Sequence, residues 1–283
     1  MSSANIDGSY SPEITFSHSR AAEASGQRYS RIWSSLKEVC DLLRINSPIS
    51  RYTDAPIFQH MKFKTGQRVH TLGQGFESLY VVNSGFIKSV LIDVSGNEQV
   101  LNFPMKGDLL GIDGLCTRQY VSEAVALTDC DVILVPFKEL IALGRANGVL
   151  ENMVYDVISR ELSRQQVMVS MLGGLSADAR VACFLVALAG RYAGMGYSSK
   201  EFTMRMTRQD IGSYLGLTLE TVSRTLSDFK EAGLIMVDQR FIHIKNASAL
   251  NSMRYLSPRM RGRRKPTATP VKKPAVSAVE YCR

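Results

Sequence analysis

The hydrophobic pattern of the chain is clearest between residues 207 and 229, where apolar side chains recur at helical spacing in two short segments. Ile211 and Leu215 share one helix face at i and i+4, and Gly216 follows them. The second segment has an apolar face of its own, which consists of Val222, Leu226 and Phe229. Two short helices joined at a glycine predict a helix-turn-helix.

Residues typical of helix starts mark both segments. Thr207 precedes Asp210 by three positions, as in a capping box, and Thr218 can cap the second helix. Beyond that helix, two apolar runs of four residues flank Asp238-Gln239-Arg240. This pattern predicts a β-hairpin, or wing, next to the helices.

Between residues 58 and 136 the period of the hydrophobic pattern changes to two. Short β-rich runs, such as residues 78–82 and 86–92, are separated by glycines at roughly ten-residue intervals. These glycines are Gly66, Gly75, Gly85, Gly96, Gly107 and Gly114. The spacing predicts a small antiparallel jelly roll, of a kind suited to sensing.

The segment that precedes the β-rich region divides into two parts. Residues 1–30 are rich in Ser, Ala and Gly without periodicity, which predicts a flexible, disordered leader. An apolar stripe then predicts a helix that closes at Ser47-Pro48. This stripe consists of Ile32, Leu36, Val39, Cys40 and Leu43.

A long amphipathic helix is predicted after Pro136, and Gly173-Gly174 interrupts it. Its stripe consists of Leu150, Val154, Val157, Glu161, Met168 and Leu172, with Ile158, Leu162 and Val169 alongside. A stripe of this length between two domains favours pairing with a second copy in a two-fold dimer. The alternative is that the helix packs only on its own β-domain.

Together these patterns predict an α+β chain with an N-terminal antiparallel β jelly roll, a long dimerisation helix and a C-terminal winged helix-turn-helix. The expected divisions are a leader at 1–30, a helix and jelly roll at 31–147, a dimerisation helix at 148–173, a winged helix at 174–253 and a basic disordered tail at 254–283.

Composition narrows the function classes. The 283 residues carry a net charge of +8, and residues 258–283 hold eight Lys or Arg residues against one glutamate. The tail can therefore add salt-sensitive DNA affinity, or it can be only a solubilising segment. No apolar run approaches the length of a membrane span and no signal peptide is recognisable, so we expect a cytoplasmic protein without membrane contact.

Neither a metal site nor an enzyme site is predicted. The five cysteines are widely spaced without a Cys-x-x-Cys pair, so reduced thiols are expected. The four histidines form no closely spaced ligand pair. The sequence has neither a Gly-rich phosphate loop before a helix nor a nucleophile elbow.

The second helix of the helix-turn-helix carries side chains suited to base recognition in DNA. Arg224 can donate two hydrogen bonds to guanine, Glu220 can accept from the cytosine amino group, and Ser223 can contact a base or a phosphate. The alternative is a solvated Glu220–Arg224 ion pair at i,i+4. The helix starts and the wing supply the expected backbone contacts, which are Thr207, Arg208, Thr218, Thr221, Arg240 and Lys245.

The chain resembles the CRP/FNR superfamily of bacterial transcription regulators from about Gln67 to Leu250, specifically the branch typified by the fumarate and nitrate reduction regulator. The resemblance rests on Ser78-Leu79-Tyr80, Ser84-Gly85-Phe86-Ile87-Lys88-Ser89, Gly96-Asn97-Glu98-Gln99-Val100, Gly107-Asp108-Leu109-Leu110-Gly111, Glu201-Phe202 and Met206 to Arg224. It implies a jelly-roll effector domain, a dimerisation helix and a winged helix, with Glu220, Ser223 and Arg224 at the base-reading positions. The implied target is TTGAT-N4-ATCAA or a close relative.

The resemblance also implies a protein partner. Asp93-Val94-Ser95-Gly96-Asn97 lies where relatives contact RNA polymerase, which makes Asp93, Ser95, Gly96 and Asn97 candidate contacts. Structurally, this turn needs to be only a hairpin.

The chain departs from its relatives at the sensor positions. Oxygen-sensing members hold an iron–sulfur cluster with an N-terminal cysteine trio and one β-domain cysteine, whereas only Cys40 lies in this N-terminal region. Cys130 lies three residues before the β-domain ligand position, which Ile133 occupies. The cyclic-AMP branch needs an acidic residue, then an Arg with a neighbouring hydroxyl residue. Arg118-Gln119-Tyr120-Val121-Ser122 does not reproduce that pattern, so neither cofactor is expected.

A further departure concerns the dimer helix. Oxygen-sensing relatives carry there an aspartate that repels its copy until the cluster forms, and the matching position here is Val167. We therefore expect a dimer that forms without a cofactor. Thiol-redox control through Cys183, or gating by a cyclic dinucleotide or another small molecule, remains an alternative, and the sequence does not identify the effector.

Overall fold

The computed structural model describes residues 28–45, 56–146 and 148–253. The predicted leader up to residue 27 and the predicted tail at 254–283 lie outside these ranges. In the N-terminal half the strands are β1 (Arg28–Ser35), β2 (Pro56–Phe63), β3 (Arg68–His70), β4 (Ser78–Ser84), β5 (Ile87–Ile92), β6 (Glu98–Asn102), β7 (Leu109–Leu110), β8 (Glu123–Ala126) and β9 (Cys130–Pro136).

These strands form two antiparallel sheets. One has the order β1-β2-β9-β4-β7 and the other the order β3-β8-β5-β6. Phe58, Val81, Ile87 and Ile133 are fully buried between them, as alternating inward positions require. The predicted jelly-roll architecture is thus confirmed, with a short helix, α2 (Gly114–Thr117), inserted before β8.

The N-terminal prediction was partly wrong. Residues 28–35 form strand β1 and not the end of a leader or the start of a helix, because their backbone pairs antiparallel with β2. Ile32 accordingly lies outside the helical stripe and is half exposed. Helix α1 (Leu36–Leu42) starts only after this strand, with Ser35 as its N-cap. The Ser35 hydroxyl accepts a hydrogen bond from the Glu38 amide at 3.2 Å, and the Glu38 carboxylate accepts one from the Ser35 amide at 2.7 Å.

A buried hydrogen-bond chain fixes β1 to the sheet. The Ser34 hydroxyl lies 2.9 Å from His60 Nε2, and His60 Nδ1 lies 2.9 Å from a carboxylate oxygen of Asp131. Asn83 donates to the same carboxylate at 2.9 Å. These four side chains tie β1, β2, β4 and β9 together and satisfy polar groups that burial would otherwise make costly.

Two helices follow β9, namely α3 (Phe137–Ala146) and the long helix α4 (Gly148–Gly174). The predicted stripe of α4 is divided between two roles. Val157 packs against the jelly-roll core, and Met168 packs against the C-terminal core. The most exposed apolar side chains are instead Tyr155, Leu162 and Val169. The side chains of Leu150 and Val154 lie outside the described part.

The C-terminal elements are α5 (Ala177–Gly194), β10 (Glu201–Thr203), α6 (Arg208–Leu215), α7 (Leu219–Glu231), β11 (Ile235–Asp238), β12 (Phe241–Ile244) and α8 (Ala247–Met253). The predicted wing hairpin is present as β11 and β12, and β10 adds a third strand beside β12. A shared apolar core joins α5, α6, α7 and this sheet, with Leu185, Leu215, Val222 and Ile242 almost fully buried.

Within the described ranges, none of the helices has the length and apolar character needed to cross a membrane.

Candidate nucleic-acid interface

Local hydrogen bonds build the helix-turn-helix as the sequence predicts. The Thr207 hydroxyl accepts from the Asp210 amide at 3.0 Å, and Asp210 accepts from the Thr207 amide at 2.8 Å, which completes the capping box of α6. Gly216 ends α6 at φ +62°, a conformation that favours glycine. Gly212 is also required, because a Cβ there would lie 2.7 Å from the Leu217 carbonyl oxygen.

Helix α7 begins at the predicted cap and presents one polar face. The Thr218 hydroxyl accepts from the Thr221 amide at 3.2 Å. On the inner side, Val222, Leu226 and Phe229 are buried. The predicted base-reading residues lie on the other side, where Glu220 and Arg224 are exposed and Ser223 is half-buried.

The two charged residues of this face are available to a ligand. None of the ion pairs among the described residues joins Glu220 to Arg224, so the alternative i,i+4 pair is not formed. The Glu220 backbone amide and the Thr218 hydroxyl both lower the pKa of the Glu220 carboxyl. Glu220 therefore stays an ionised hydrogen-bond acceptor at neutral pH.

The candidate backbone contacts differ in their surroundings. Arg240 and Lys245 are exposed at the wing, and the Arg240 guanidinium makes only a long 3.4 Å hydrogen bond to the Arg205 carbonyl among the bonds described. The exposed Thr207 and Thr218 hydroxyls, by contrast, already serve as helix caps. Thr221 is half-buried, with its hydroxyl 3.0 Å from that of Thr218.

Arg208, another candidate backbone contact, is bonded to the wing. It is half-buried, and its guanidinium donates at 3.0 Å to the carbonyl of Gln239, which forms the wing turn at φ 49°. Burial lowers the pKa of Arg208, and its Nη1 atom has no partner in the described part. Arg208 therefore fixes the wing against the start of α6.

Arg180, which sequence reasoning missed, ties the long helix to the helix-turn-helix. Its guanidinium donates to the carbonyl of Leu172 at 2.6 Å, of Leu175 at 3.2 Å and of Leu215 at 3.0 Å. The first two carbonyls belong to the end of α4 and the short link after it, and the third ends α6. One side chain thus satisfies helix-end carbonyls that would otherwise lack partners.

A second missed contact joins the jelly roll to α6. The Val100 amide donates to the Ser213 hydroxyl at 2.8 Å, and that hydroxyl donates to the Glu98 carbonyl at 3.2 Å. Lys88 lies 2.8 Å from Glu98 and 3.2 Å from Asp210. Because β6 is the last strand of its sheet, α6 covers backbone groups that would otherwise be unpaired.

The candidate polymerase turn is a hairpin tip with several local hydrogen bonds. One Asp93 carboxylate oxygen accepts from the Ser95 amide at 2.8 Å and the Asn97 amide at 2.9 Å, and the other accepts from the Asn97 side chain at 2.9 Å. Gly96 has φ +82°. Val94 is fully exposed at the tip, where an apolar side chain gains nothing from the fold itself.

Comparison with known protein families matches both halves of the chain. Residues 60–147 match the cyclic nucleotide-binding domain, and residues 179–253 match the Crp-like helix-turn-helix domain. The chain is 36% identical over 200 residues to the transcriptional regulatory protein btr of Bordetella pertussis, a match that covers 71% of this chain and 83% of that protein. The chain belongs to the CRP/FNR family of transcription regulators.

Other CRP/FNR proteins match over a similar extent. The fumarate and nitrate reduction regulatory protein of Salmonella typhi is 35% identical over 219 residues, covering 77% of this chain and 88% of that one. Among solved structures, FixK2 of Bradyrhizobium japonicum superposes with a TM-score of 0.65 at 26% identity, covering 70% of this chain and 97% of FixK2. The family assignment carries the helix-turn-helix and the jelly-roll domain with it.

The cysteines of this CRP/FNR chain do not fit an iron–sulfur cluster. The sequence has no cysteine before Cys40, and burial raises the pKa of the Cys40 thiol to about 12. The Cys130 thiol donates instead to the carbonyls of Phe86 and Thr128 at 3.2 and 3.1 Å. Among the residues described, no three His, Cys, Asp or Glu side chains come together as metal ligands.

Asp108 and Arg118, two charged residues of the matched cyclic nucleotide-binding domain, both make contacts within the chain. The Asp108 carboxylate is engaged by Arg164 at 3.0 Å, by Arg191 and by the Met105 amide at 2.9 Å. The Arg118 guanidinium lies over the Phe137 ring, 5.4 Å from its centroid. The charged groups of Asp108 and Arg118 are therefore both engaged by other residues of this chain.

Proposed function

We propose that this chain is a homodimeric transcription regulator that binds a palindrome of the type TTGAT-N4-ATCAA and contacts RNA polymerase, without an iron–sulfur cluster or cyclic AMP. The observation that carries the proposal is the polar face of α7, on which Glu220 and Arg224 are exposed and form no ion pair with each other. Glu220 and Arg224 stand four residues apart near the start of this helix, where helix-turn-helix proteins contact base edges. Arg224 offers guanine two donors, and Glu220 offers the cytosine amino group an acceptor.

The test is DNA binding by fluorescence anisotropy at one fixed salt concentration, with protein purified with and without air. We expect the same specific binding in both preparations. Arg224→Ala should weaken binding by about 1–3 kcal/mol and lose preference at the guanine it contacts. Lys230→Ala, on the last turn of the same helix, is the matched control and should keep that preference. If the wild type binds the TTGAT-N4-ATCAA duplex and a duplex with altered G·C pairs with equal affinity, base recognition is contradicted.

The homodimer is supported by the exposed side of α4. Tyr155, Leu162 and Val169 are spaced seven residues apart, and all three are exposed. Each of these residues is followed three positions later by another seam residue, namely Ile158, Gln165 and Leu172. The resulting alternation of three and four positions is an a/d heptad pattern. This seam differs from the predicted one, in which Val157 and Met168 were included.

Val167 lies beside the proposed seam and not within it. On a helix with 3.6 residues per turn it lies near Arg160 and Arg164, which bind carbonyl and carboxylate groups of their own chain. The uncharged side chain that faces the proposed partner is instead Gln165. The seam therefore holds no carboxylate to repel its copy, and we expect the dimer to form without a cofactor.

The polymerase contact is the remaining part of the proposal. The hairpin tip at residues 93–97 projects an exposed valine on a backbone that Asp93 holds rigid. A rigid apolar tip suits docking on another protein, because little conformational entropy is lost on binding.

Cys183 is the site of an alternative redox regulation. It is half-buried on α5 between the buried residues Ala182 and Phe184. The proposal gives it a packing role, as is usual for such thiols. If peroxide treatment weakens DNA binding by the wild type but not by Cys183→Ser, the redox alternative is favoured.

A further inference from the structure

Helix α1 ends in a motif that normally contains a glycine. The Arg44 amide donates to the Asp41 carbonyl at 3.1 Å, and the Ile45 amide donates to the Cys40 carbonyl at 3.0 Å. This pair of hydrogen bonds is a Schellman motif, which places one residue in the left-handed conformation and therefore favours glycine there. Arg44 occupies that position with φ 53°. The backbone of an arginine is strained at this angle, whereas that of a glycine is not.

The Arg44 side chain reaches the DNA-binding half of the molecule. Its guanidinium donates at 2.8 Å to the carbonyl of Gly194, which is the last residue of α5. A Cβ at Gly194 would lie 2.7 Å from Arg44 Nη2, so the guanidinium lies directly against the helix end. A cation at this position interacts favourably with the helix dipole and with a carbonyl that has no partner inside the helix.

The two residues before Arg44 contact other parts of the molecule. The Leu43 carbonyl accepts from Arg160 of α4 at 2.7 Å. The Leu42 carbonyl lies against the jelly roll, where a Cβ at Gly107 would approach it to 2.7 Å. Three consecutive residues, Leu42, Leu43 and Arg44, thus contact the jelly roll, the long helix and α5. These three residues form the α1 clasp.

The same end of α5 is also held directly by the jelly-roll half. Arg191 lies one turn before Gly194 and donates to the Phe103 carbonyl at 2.9 Å and to the Asp108 carboxylate. Arg191 therefore fixes α5 to the jelly roll directly, whereas Arg44 fixes it through α1. Helix α1 precedes both of the matched family domains, so the α1 clasp joins these domains without belonging to either.

We propose that the α1 clasp couples the N-terminal helix to the winged helix, so that a change in α1 is transmitted to α5 through Arg44. Leu36 and Val39 pack α1 on the jelly-roll core, which makes α1 part of that half. Strain at a residue persists where its surroundings compensate for it, and the contact with Gly194 supplies that compensation. The coupling requires no assumption about the DNA sequence that is bound.

Hydrogen–deuterium exchange of the full chain tests the contact between Arg44 and α5. Arg44→Gly should speed exchange at residues 194–197 at least about threefold, because the end of α5 loses its partner. Exchange at residues 36–43 should be no faster, because glycine suits the left-handed position. A residue that serves only to end α1 would leave 194–197 unchanged. Lys37→Ala is the matched control, since it removes an exposed positive charge from the same helix, and both segments should exchange as in the wild type.

A second variant tests transmission from the opposite end of α1. Ser35→Ala removes the hydroxyl that caps the start of the helix and does not touch Arg44. We expect it to speed exchange at 194–197 in the wild-type background and to add nothing in the Arg44→Gly background, where the path is already lost. The proposal is overturned if Arg44→Gly and Lys37→Ala give the same exchange at 194–197, or if Ser35→Ala acts equally in both backgrounds.

Discussion

At the scale of single residues, Asp210 has two structural tasks. It completes the cap of α6 and also pairs with Lys88 of the jelly roll. Burial opposes its ionisation, but hydrogen bonds from Thr207 and the charge of Lys88 outweigh burial and lower the pKa of Asp210 below its ordinary 3.8. The carboxylate therefore stabilises the folded state above that pH, and this contribution is lost as the pH falls through the lowered value.

Asp210→Asn tests this role. At neutral pH we expect the variant to unfold about 1 kcal/mol more easily, because charge-assisted hydrogen bonds are replaced by neutral ones. The difference from the wild type should shrink as the pH falls below 3.8, which denaturant titrations at several pH values would measure. Asp228→Asn, an exposed change on α7, is the control. A difference that stays constant down to about pH 3 would contradict the assignment.

Residues whose partners are close in sequence were predictable. The caps at Thr207 and Thr218 bond to amides three positions away, so the spacing alone revealed them. Arg180 and Ser213 were missed, because their partners lie many residues distant along the chain. The hydrogen bond of Arg208 to the wing turn was missed for the same reason, and its contact with the DNA backbone stays a prediction.

At the scale of elements, α4 shows how periodicity identifies a helix without fixing the use of its faces. Its apolar residues cover much of the circumference because the helix packs on two domains and still leaves an apolar seam. The single stripe predicted from the sequence therefore combined residues that belong to different faces of α4. Strand β1 was missed because its side chains lack the alternation of a half-buried strand, with Ile32 and Trp33 both substantially exposed.

Leu162→Glu tests the seam of α4. Two glutamates facing each other in the dimer would weaken it by at least about 3 kcal/mol, more than a hundredfold in dissociation constant. Sedimentation velocity should then find a monomer at concentrations where the wild type is dimeric. Ser170→Glu adds the same charge on an exposed position outside the seam, and the dimer should persist. A monomeric wild type, or equal effects of both changes, would contradict the seam.

At the scale of the whole molecule, the two domains form one connected structure. Asp108 of the jelly roll binds Arg164 of α4 and Arg191 of α5, and Ser213 of α6 completes the edge of β6. These contacts leave the polar face of α7 exposed. The division into jelly roll, long helix and winged helix could be predicted from changes in hydrophobic period. The contacts between these parts could not, because they join residues that are distant in sequence.

The Arg180 tie leads to a prediction about the spacing of DNA half-sites. One base pair added to the N4 spacer rotates one half-site by about 35° and moves it by about 3.4 Å relative to the other. We expect the wild type to bind an N5 duplex far more weakly than the N4 duplex. Arg180→Gln should narrow that ratio in anisotropy titrations, whereas the exposed change Lys200→Gln should not. An unchanged ratio in Arg180→Gln would contradict this role.

The same three hydrogen bonds also bear on the spacing of the two half-sites in the proposed dimer. In the proposed dimer, α7 recognises the bases of a half-site, and the connection from Leu172 to Leu215 through Arg180 sets the distance at which we expect the second half-site to follow. We therefore expect the proposed dimer to reject a promoter that carries both half-sites at the wrong separation, even when every base of each half-site matches.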